Sequence, residues 1–233
     1  AGFHPHTQEG LYRGDYINRP VLYNPYIHIS QQFITLADAL ESGFVPTVKR
    51  KIPEGKPALP PIKLDEKEIS EKQLKFETDF PEAKGKKMIL LYPGGGLLPI
   101  RAWPIENYSI LANDFLKNGY AVGIIGMGTD KGLARVIISE CHSESCIDLT
   151  GYTKTVRELM VLFHFASLLI TNDGGPGHFA AMTPVPAITL YGPETPLLYG
   201  PLGRNSHNFY AGLSCSPCLT AYNHRNSPCD GDN

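Results

Sequence analysis

Residues 168–192 read LLITNDGGPGHFAAMTPVPAITLYG. The two apolar runs of this stretch, Leu168 to Thr171 and Ala187 to Tyr191, have the length and composition of buried strands. Between them lie a glycine-rich loop and a short helical segment from Gly177 to Met182. A strand, a helix and a strand in this order form the crossover unit of a parallel sheet. We therefore expect both strands to lie in a buried parallel sheet.

The same alternation extends back along the chain to Lys86. The other predicted strands are Met88 to Tyr92, Tyr120 to Ile125 and Cys146 to Leu149, and the other predicted helices are about Ile105 to Lys117, Lys131 to Glu140 and Val156 to Ala166. Five strands that alternate with four helices indicate an α/β fold with a doubly wound parallel sheet. Ligands of such sheets bind outside the carboxyl ends of the strands, near the point where the strand order reverses.

The chain before residue 86 has a different composition. Residues 46–85 are rich in proline and lysine, and we interpret them as a connector that contains one solvated helix near residues 65–77. Residues 1–45 are predicted to be the remnant of an N-terminal domain, because residues 1–22 hold too few apolar positions for a core of their own and the chain begins at Ala1 rather than Met. Residues 86–233 then form the ligand-binding domain, with a Cys-containing tail.

One amphipathic helix is predicted within Ile27 to Leu40. Its apolar positions at helical spacing are Ile29, Phe33, Leu36, Ala37 and Leu40.

Composition excludes several function classes. The chain has 21 Lys and Arg residues against 23 Asp and Glu residues, a formal net charge of −2, so no global basic field is available for nucleic acid or an anionic membrane. The apolar runs are strand-sized, far below the roughly 18 residues that span a bilayer. Five cysteines, an odd number, do not indicate a disulfide framework. We expect a soluble, cytoplasmic protein that binds any phosphate locally.

The loop after the first predicted sheet strand is a candidate phosphate cradle. Gly94, Gly95 and Gly96 let backbone N–H groups approach an oxygen-rich ligand without a Cβ atom in the way. Arg101 lies a few residues further on, and a guanidinium pairs bidentately with a diphosphate. The run lacks the spacing of a P-loop or a dinucleotide site, so a structural turn and an ordinary surface arginine remain open alternatives.

The loop after the fourth predicted strand carries the strongest local signal. Asn172 or Asp173 can cap the coming helix, Gly174 and Gly175 leave its first amides open to an anion, and Pro176 suits an early helical position. His178 in the first turn can donate to a phosphate or a sugar hydroxyl. The alternative is that Asp173 serves only as the helix cap and that His178 packs under the loop.

Two further loops carry weaker candidates. Asp130 can accept both hydroxyls of a ribose, or it can cap the next helix. Met127 and Tyr152 can flank a purine or pyrimidine ring, or they can belong to the core.

The tail has the spacing of a zinc ligand set, C-x2-C-x5-H-x4-C. The residues are Cys215, Cys218, His224 and Cys229. Loop thiols beside a solvated histidine are the favoured alternative. No GxSxG, HExxH or Cys-His-Asn pattern is present, so the sequence indicates no nucleophile.

Three segments together resemble the donor-binding half of the family 9 glycosyltransferases, the ADP-heptose:lipopolysaccharide heptosyltransferases. These are YPGGGLLPIRAWP from Tyr92, LTGYTKTVRELMVLF from Leu149 and ITNDGGPGHFAAMTPVPAITLYGPETP from Ile170. The resemblance implies a GT-B-type fold of Rossmann-like domains. It also implies inverting, metal-independent transfer of a sugar, heptose in this family, from a nucleotide sugar to a lipopolysaccharide-type or other glycan acceptor, without a cofactor.

The resemblance also implies roles for individual residues. Arg101 falls where the family uses a Lys near the diphosphate, Asp130 matches an acid that contacts the nucleoside, and Tyr152 lies near a residue that packs on the base. The loop around the phosphates and the transferred sugar is matched by Asp173, Gly174, Gly175 and His178. The family's catalytic base is an acid in the first Rossmann domain, before Ala1, so no base is assigned here. A lipid-linked acceptor implies peripheral contact with the inner face of the cytoplasmic membrane.

The sequence departs from the family pattern at three positions. Gly174 stands where Ser or Thr is usual, Gly177 where a larger residue is common, and Tyr92 where His is frequent. Two other functions compatible with the chain are a non-catalytic nucleotide-sugar-binding or interaction module and a GT-B-type epimerase.

Overall fold

The computed structural model describes residues 1–3, 16–41, 57–219, 227 and 229. The strands are β1 (Gly2–Phe3), β2 (Pro20–Val21), β3 (Met88–Tyr92), β4 (Ala121–Gly126), β5 (Cys146–Thr150), β6 (Leu168–Asn172), β7 (Ala187–Tyr191) and β8 (Ser206–Tyr210). The helices are α1 (Ile29–Asp38), α2 (Glu66–Asp79), α3 (Ile105–Lys117), α4 (Lys131–Cys141), α5 (Val156–Phe165), α6 (Gly175–Ala180) and α7 (Pro196–Tyr199).

The chain forms two compact units. The first draws its described residues from 1–58, 192–200 and 211–233, and the second consists of 59–191 and 201–210. Helix α2 belongs to the second unit, with the sheet. The domain boundaries at residues 45 and 85 stay a prediction.

The first unit contains the parallel pair β1 and β2, helix α1 and helix α7. His28 begins α1 with a capping box, and its Nε2 atom lies 3.0 Å from the Gly200 carbonyl oxygen. The predicted apolar face of α1 is not its buried face, because Phe33 and Leu40 are 61% and 59% exposed. Gln31 and Gln32 are buried instead, since their side chains hydrogen-bond to the backbone of the preceding loop.

The second unit is built on a six-stranded, wholly parallel sheet in the order β5-β4-β3-β6-β7-β8. Chain order runs outward in one direction from β3 and in the other from β6, so the strand order reverses between these two strands. The five predicted strands are confirmed within a residue at each end. β8 was not predicted, because SHNFY is an edge strand whose side chains are mostly exposed and whose sequence is half polar.

Side chains alternate between the two faces of the sheet and fill two cores. Leu90 packs on the side of α2, α5 and α6, and its neighbour Leu91 packs on the side of α3 and α4. Both leucines are fully buried, and each contributes about 1.5–3 kcal/mol of hydrophobic free energy. The result is three layers, with helices on both faces, as expected for a doubly wound sheet.

Helix α2 is the helix predicted near residues 65–77, and it is more than a solvated connector. Its Phe76 side chain is 3% exposed and belongs to the core that contains Leu90. Two ion pairs tie the rest of α2 to α5: Lys72 Nζ to Glu158 Oε1 at 2.8 Å and Arg157 Nη2 to Glu68 Oε2 at 2.5 Å. Lys72 and Glu68 therefore contribute to the packing between α2 and α5. Across the described ranges, no helix has both the length and the hydropathy to cross a membrane.

Candidate functional site

The glycine loop follows β3 at the point where the strand order reverses. A Cβ atom on Gly95 would lie 2.9 Å from the Leu98 carbonyl oxygen and 2.9 Å from Pro99 Cα, so the backbone itself excludes a side chain there. Gly96 has a φ of +61°, in the left-handed region that glycine adopts without strain. A Cβ atom on Gly94 would lie 3.0 Å from the Tyr92 ring. The loop therefore needs its glycines to form a tight turn.

The Asn172 side chain connects this loop to the end of β6. Its Nδ2 donates to the Pro93 carbonyl oxygen at 2.9 Å and to the Gly94 carbonyl oxygen at 3.2 Å. Its Oδ1 accepts from the Trp103 amide at 3.0 Å and from the Tyr108 hydroxyl at 2.9 Å. The two carbonyls and the Trp103 amide fix which end of the side-chain amide is which, since the reverse orientation would oppose like groups.

Tyr108 of α3 is the remaining partner of the Asn172 side chain. Its ring is fully buried in α3, and its hydroxyl also lies 3.1 Å from the Tyr92 carbonyl oxygen. Burial raises the pKa of the Tyr108 hydroxyl strongly, and the neighbouring Tyr92 adds to the rise. The hydroxyl therefore stays protonated and remains a donor at every ordinary pH.

Arg101 and Asp173 form an ion pair beside the loop. Arg101 Nε lies 3.6 Å from Asp173 Oδ2, and the two side chains are 18% and 5% exposed. The alternative of an ordinary surface arginine is therefore wrong. The Asp173 amide donates to the Leu190 carbonyl oxygen at 3.0 Å, which fixes this residue to the end of β7. The ion pair holds the Arg101 guanidinium at the carboxyl edge of the sheet.

The residue that caps α6 is not one of those predicted from the sequence. Gly174 is the N-cap, in extended backbone, so the prediction that Asn172 or Asp173 caps this helix is wrong. The Asn172 side chain is engaged with the glycine loop and the Asp173 carboxylate with Arg101, which leaves neither available as a cap. Pro176 lies in the first turn as predicted, and His178 lies in the same short helix, half-buried.

Gly177 is small because its surroundings leave no room for a side chain. A Cβ atom there would lie 2.9 Å from Thr189 Oγ1 and 3.4 Å from Pro201 Cγ. Thr189 is fully buried in β7. This contact gives a physical reason for the departure from the family pattern at this position.

Asp130 lies at the end of β4, next to the reversal point. Asp130 is the N-cap residue of α4, in agreement with the capping alternative, but its side chain makes no cap hydrogen bond to that helix. Its Oδ2 instead accepts a hydrogen bond from the Met127 amide at 2.8 Å, within the loop before α4. Burial raises the pKa of Tyr92, and the Asp130 charge adds to that rise. Met127 is 65% exposed, so the alternative of a core methionine is wrong.

Tyr152 follows β5 and faces α2. Its hydroxyl donates to Asp79 Oδ2 at 2.9 Å, and its ring centroid lies 5.3 Å from that of Phe80. Burial, and next the bond to Asp79, raise the pKa of Tyr152. The ring also borders a cavity of about 310 Å³ whose other walls include Lys72, Lys75, Lys154, Val161, Leu162 and Phe165. A role for Tyr152 in base packing stays a prediction.

The tail places three of its four candidate ligands in the described chain. Cys218 Sγ and Cys229 Sγ lie 4.0 Å and 3.5 Å from Ser227 Oγ, and Cys215 is exposed. His224 lies outside the described residues. Within the part that the structure describes, no three metal-ligating side chains come together. The four-residue metal set therefore stays an untested alternative to the favoured interpretation as loop thiols.

Among the described residues, the structure brings together three of the predicted segments at one edge. These are the glycine loop Gly94 to Gly96, Arg101, and Asp173 with Gly174 and Gly175. Sequence reasoning assigned no site role to Asn172, Tyr108 or Tyr92. The position of Asn172 after a strand was visible in the sequence, but a helical tyrosine such as Tyr108 has no sequence signal that distinguishes it from core.

Comparisons with known proteins agree with this architecture. Lipooligosaccharide heptosyltransferase 2 of Haemophilus ducreyi is 28% identical over 189 residues, which cover 78% of this chain and 52% of that protein. Lipooligosaccharide heptosyltransferase 2 of Haemophilus influenzae is 31% identical over 180 residues, 76% of this chain and 50% of that protein. The chain therefore spans about half the length of these curated relatives.

Solved structures give the same likeness. The structure of Escherichia coli ADP-heptose lps heptosyltransferase II matches with a TM-score of 0.68 and 22% identity, over 84% of this chain and 58% of that one. A family 9 glycosyl transferase from Veillonella parvula matches with a TM-score of 0.64 and 23% identity, over 79% and 49%. This likeness confirms the predicted α/β fold of GT-B type with its doubly wound, Rossmann-like sheet.

The sequence profile described as Glycosyltransferase family 9 (heptosyltransferase) matches residues 33–227. This range includes the whole sheet, the glycine loop and the Arg101–Asp173 pair. The chain therefore belongs to glycosyltransferase family 9.

Proposed function

We propose that this chain binds the nucleotide-sugar donor of an inverting, metal-independent heptosyltransferase that acts on a lipopolysaccharide-type acceptor. One observation carries the proposal: a glycine loop, a largely buried arginine and the loop of Asp173 to Gly175 meet where the strand order reverses. That point of a doubly wound sheet is where ligands bind in general. Donated N–H groups and a guanidinium are the partners that a diphosphate requires.

The relatives support the nature of the sugar and of the nucleotide. The curated relatives are named heptosyltransferases, and the Escherichia coli protein of known structure is named an ADP-heptose lps heptosyltransferase. ADP-heptose is therefore the donor we propose for this chain. The acceptor we propose is a glycan of the lipopolysaccharide type, reached by peripheral contact at the cytoplasmic side of the membrane.

The chemistry proposed for these residues is activation of the leaving group. When the bond between the anomeric carbon and the diphosphate breaks, negative charge develops on the departing oxygen. Arg101 and the amides of the glycine loop would stabilise that charge in the transition state, because they are held in position before the reaction begins. Asp173 orients the guanidinium through the ion pair at 3.6 Å. Removal of the acceptor proton needs a base, and we propose no residue for that step.

We propose nucleoside contacts for the neighbouring loops. The Asp130 carboxylate accepts from one backbone amide, and its remaining acceptor positions are suited to the hydroxyls of a ribose. The exposed Met127 side chain and Tyr152 would flank the base. His178 would contact a phosphate or the transferred sugar.

Calorimetric titration of the full chain with ADP, adenosine and UDP tests the proposal. We expect ADP to bind at least about tenfold more tightly than adenosine, because the diphosphate adds charge-assisted hydrogen bonds of about 1.5–3 kcal/mol. UDP is the control for base recognition and should bind more weakly than ADP. A folded sample that binds none of the three would overturn the proposal.

A further inference from the structure

We propose that Asn172 is a positioning residue that aims two consecutive backbone amides of the glycine loop at the donor diphosphate. The inference rests on the proposed function, which assigns that loop to the diphosphate. It concerns a fully buried side chain that is hydrogen-bonded to Pro93, Gly94, Trp103 and Tyr108.

Asn172 sets the direction of two carbonyl groups in the glycine loop. Asn172 Nδ2 is bonded to the oxygens of Pro93 and Gly94, at 2.9 Å and 3.2 Å, so both oxygens are turned toward β6. These oxygens belong to the peptide units that also carry the N–H groups of Gly94 and Gly95. Both peptide units are trans, and the carbonyl and N–H of a trans unit point in opposite directions. The amides of Gly94 and Gly95 therefore point away from Asn172.

The two amides of Gly94 and Gly95 can bind an anion together. Successive N–H groups on one side of a loop form a concave site for an anion. Neither glycine carries a side chain that would cover them, and a Cβ atom on Gly95 would meet the backbone of Pro99 at 2.9 Å. One buried side-chain amide thus fixes the direction of the two donors that a diphosphate oxygen would meet.

Asn172 also connects the glycine loop to the segment that carries the Arg101 guanidinium. Asn172 Oδ1 accepts from the amide of Trp103, two residues after Arg101, at 3.0 Å. The residue after Asn172 is Asp173, which pairs with Arg101 at 3.6 Å. The same side chain therefore sets the position of the glycine loop and of the segment that carries the guanidinium. All four hydrogen-bonding positions of its amide are used, so the arrangement is over-determined.

The substitution Asn172→Asp separates the two halves of this network. The carboxylate keeps the acceptor for Trp103 and Tyr108, but it loses both donors and opposes the carbonyls of Pro93 and Gly94 with a negative charge. We expect ADP affinity to fall at least about tenfold, the scale of one charge-assisted hydrogen bond, and adenosine affinity to stay within about twofold. Calorimetry with both ligands on the full chain measures the split.

A control variant outside the site distinguishes positioning from general stability. Ile137→Ala truncates a fully buried side chain of α4, and it should lower Tm without changing the ratio of ADP to adenosine affinity. Equal losses for both ligands in Asn172→Asp would overturn the inference while leaving the proposed function intact.

A measurement on the unsubstituted chain covers the case in which Asn172→Asp does not fold. In ¹⁵N-labelled protein, addition of inorganic pyrophosphate should shift the amide signals of Gly94 and Gly95 and slow their hydrogen exchange. Unchanged signals at both glycines, in a sample that binds ADP, would overturn the inference. Failure of the unsubstituted chain to bind ADP at all would instead remove the proposed function.

Discussion

The carboxyl edge of the sheet has two parts. We call the ends of β3 and β6, where the strand order reverses, the centre, and the loops after β4 and β5 the flank. At the ends of β3 and β6, Asn172 is fully buried, Asp173 is 5% exposed, and the Arg101 side chain is 18% exposed. At the end of β4, Met127 is 65% exposed, and the Asp130 carboxylate contacts the backbone of its own loop. The centre is tied together by contacts between distant parts of the chain, whereas the loop after β4 is closed by the local bond from the Met127 amide to Asp130.

This difference separates two tasks within one proposed site. Groups that stabilise developing charge act best when their positions are set in advance, because no reorganisation is then needed during the reaction. Contact with the nucleoside is the second task, which we propose for the flank. We therefore expect substitutions at the centre to weaken binding of the diphosphate strongly. Substitutions at the flank should weaken binding of the nucleoside only slightly.

The largest effect is expected at Arg101. Arg101→Ala removes the cation and leaves the Asp173 carboxylate buried beside the ligand, where it would repel a diphosphate. We expect a loss of about 2–3 kcal/mol in ADP binding, about 30- to 150-fold in Kd, with little change for adenosine. Arg135→Ala, at an exposed arginine of α4, is the matched control and should stay within about twofold. Equal weakening of ADP and adenosine would contradict a phosphate role.

Gly95→Ala should have the next largest effect, and it acts through the shape of the loop. The added Cβ would lie 2.9 Å from backbone atoms of Leu98 and Pro99, which cannot move as a side chain could. We expect unfolding free energy to fall by about 1–3 kcal/mol, measured by urea denaturation, together with weaker ADP binding.

Gly132→Ala in α4 is the opposite case and serves as the control for Gly95→Ala. A Cβ there meets open space, and alanine is favoured over glycine in a helix, so stability should rise by about 0.5–1 kcal/mol. A loss of stability in Gly132→Ala, or none in Gly95→Ala, would count against the geometry described for these loops.

The buried tyrosine of the centre predicts a pH dependence. The pKa of Tyr108 is raised in the folded state, so the folded chain holds its proton more tightly than the unfolded chain does. The stability that this provides is fully present below the unfolded pKa of about 10 and is lost as the pH rises above it. We expect Tyr108→Phe to flatten the fall in unfolding free energy above pH 10 by at most about 1.4 kcal/mol per pH unit. An identical slope in both proteins would contradict the burial of this hydroxyl.

The smallest effect is expected on the flank, at Asp130. Asp130→Asn keeps an acceptor for the Met127 amide but removes the charge that a ribose diol would meet. We expect ADP and adenosine to weaken equally, by about 1 kcal/mol or less, and 2′-deoxyadenosine to be nearly unaffected. A selective loss of ADP would move Asp130 from the nucleoside side to the phosphate side of the site.

Much of the fold was predictable from the sequence because it depends on local pattern. Buried parallel strands such as Met88–Tyr92 are continuous apolar runs, and both ends of that strand were correctly predicted. β8 escaped prediction because an edge strand needs no such run, and SHNFY joins the sheet through backbone pairing with β7. The face of α1 was wrongly predicted because polar contacts made by Gln31 and Gln32 outweighed the apolar pattern.

The site was predictable only in outline. Glycines and polar residues after strands indicated the correct edge, because the carboxyl ends of parallel strands meet there. The partners of individual side chains were not predictable, since Asn172 lies beside Asp173 in sequence and yet bonds to Pro93, Gly94 and Trp103. A capping residue and a clamp between loops have the same sequence signature, and only the fold distinguishes them.

The most direct test of the account is the position of ADP in a crystal of this chain. We predict that the diphosphate lies within hydrogen-bonding distance of the Gly94 and Gly95 amides and of the Arg101 guanidinium, at the carboxyl ends of β3 and β6. A diphosphate bound at the opposite edge of the sheet, or in the cavity between α2 and α5, would contradict it.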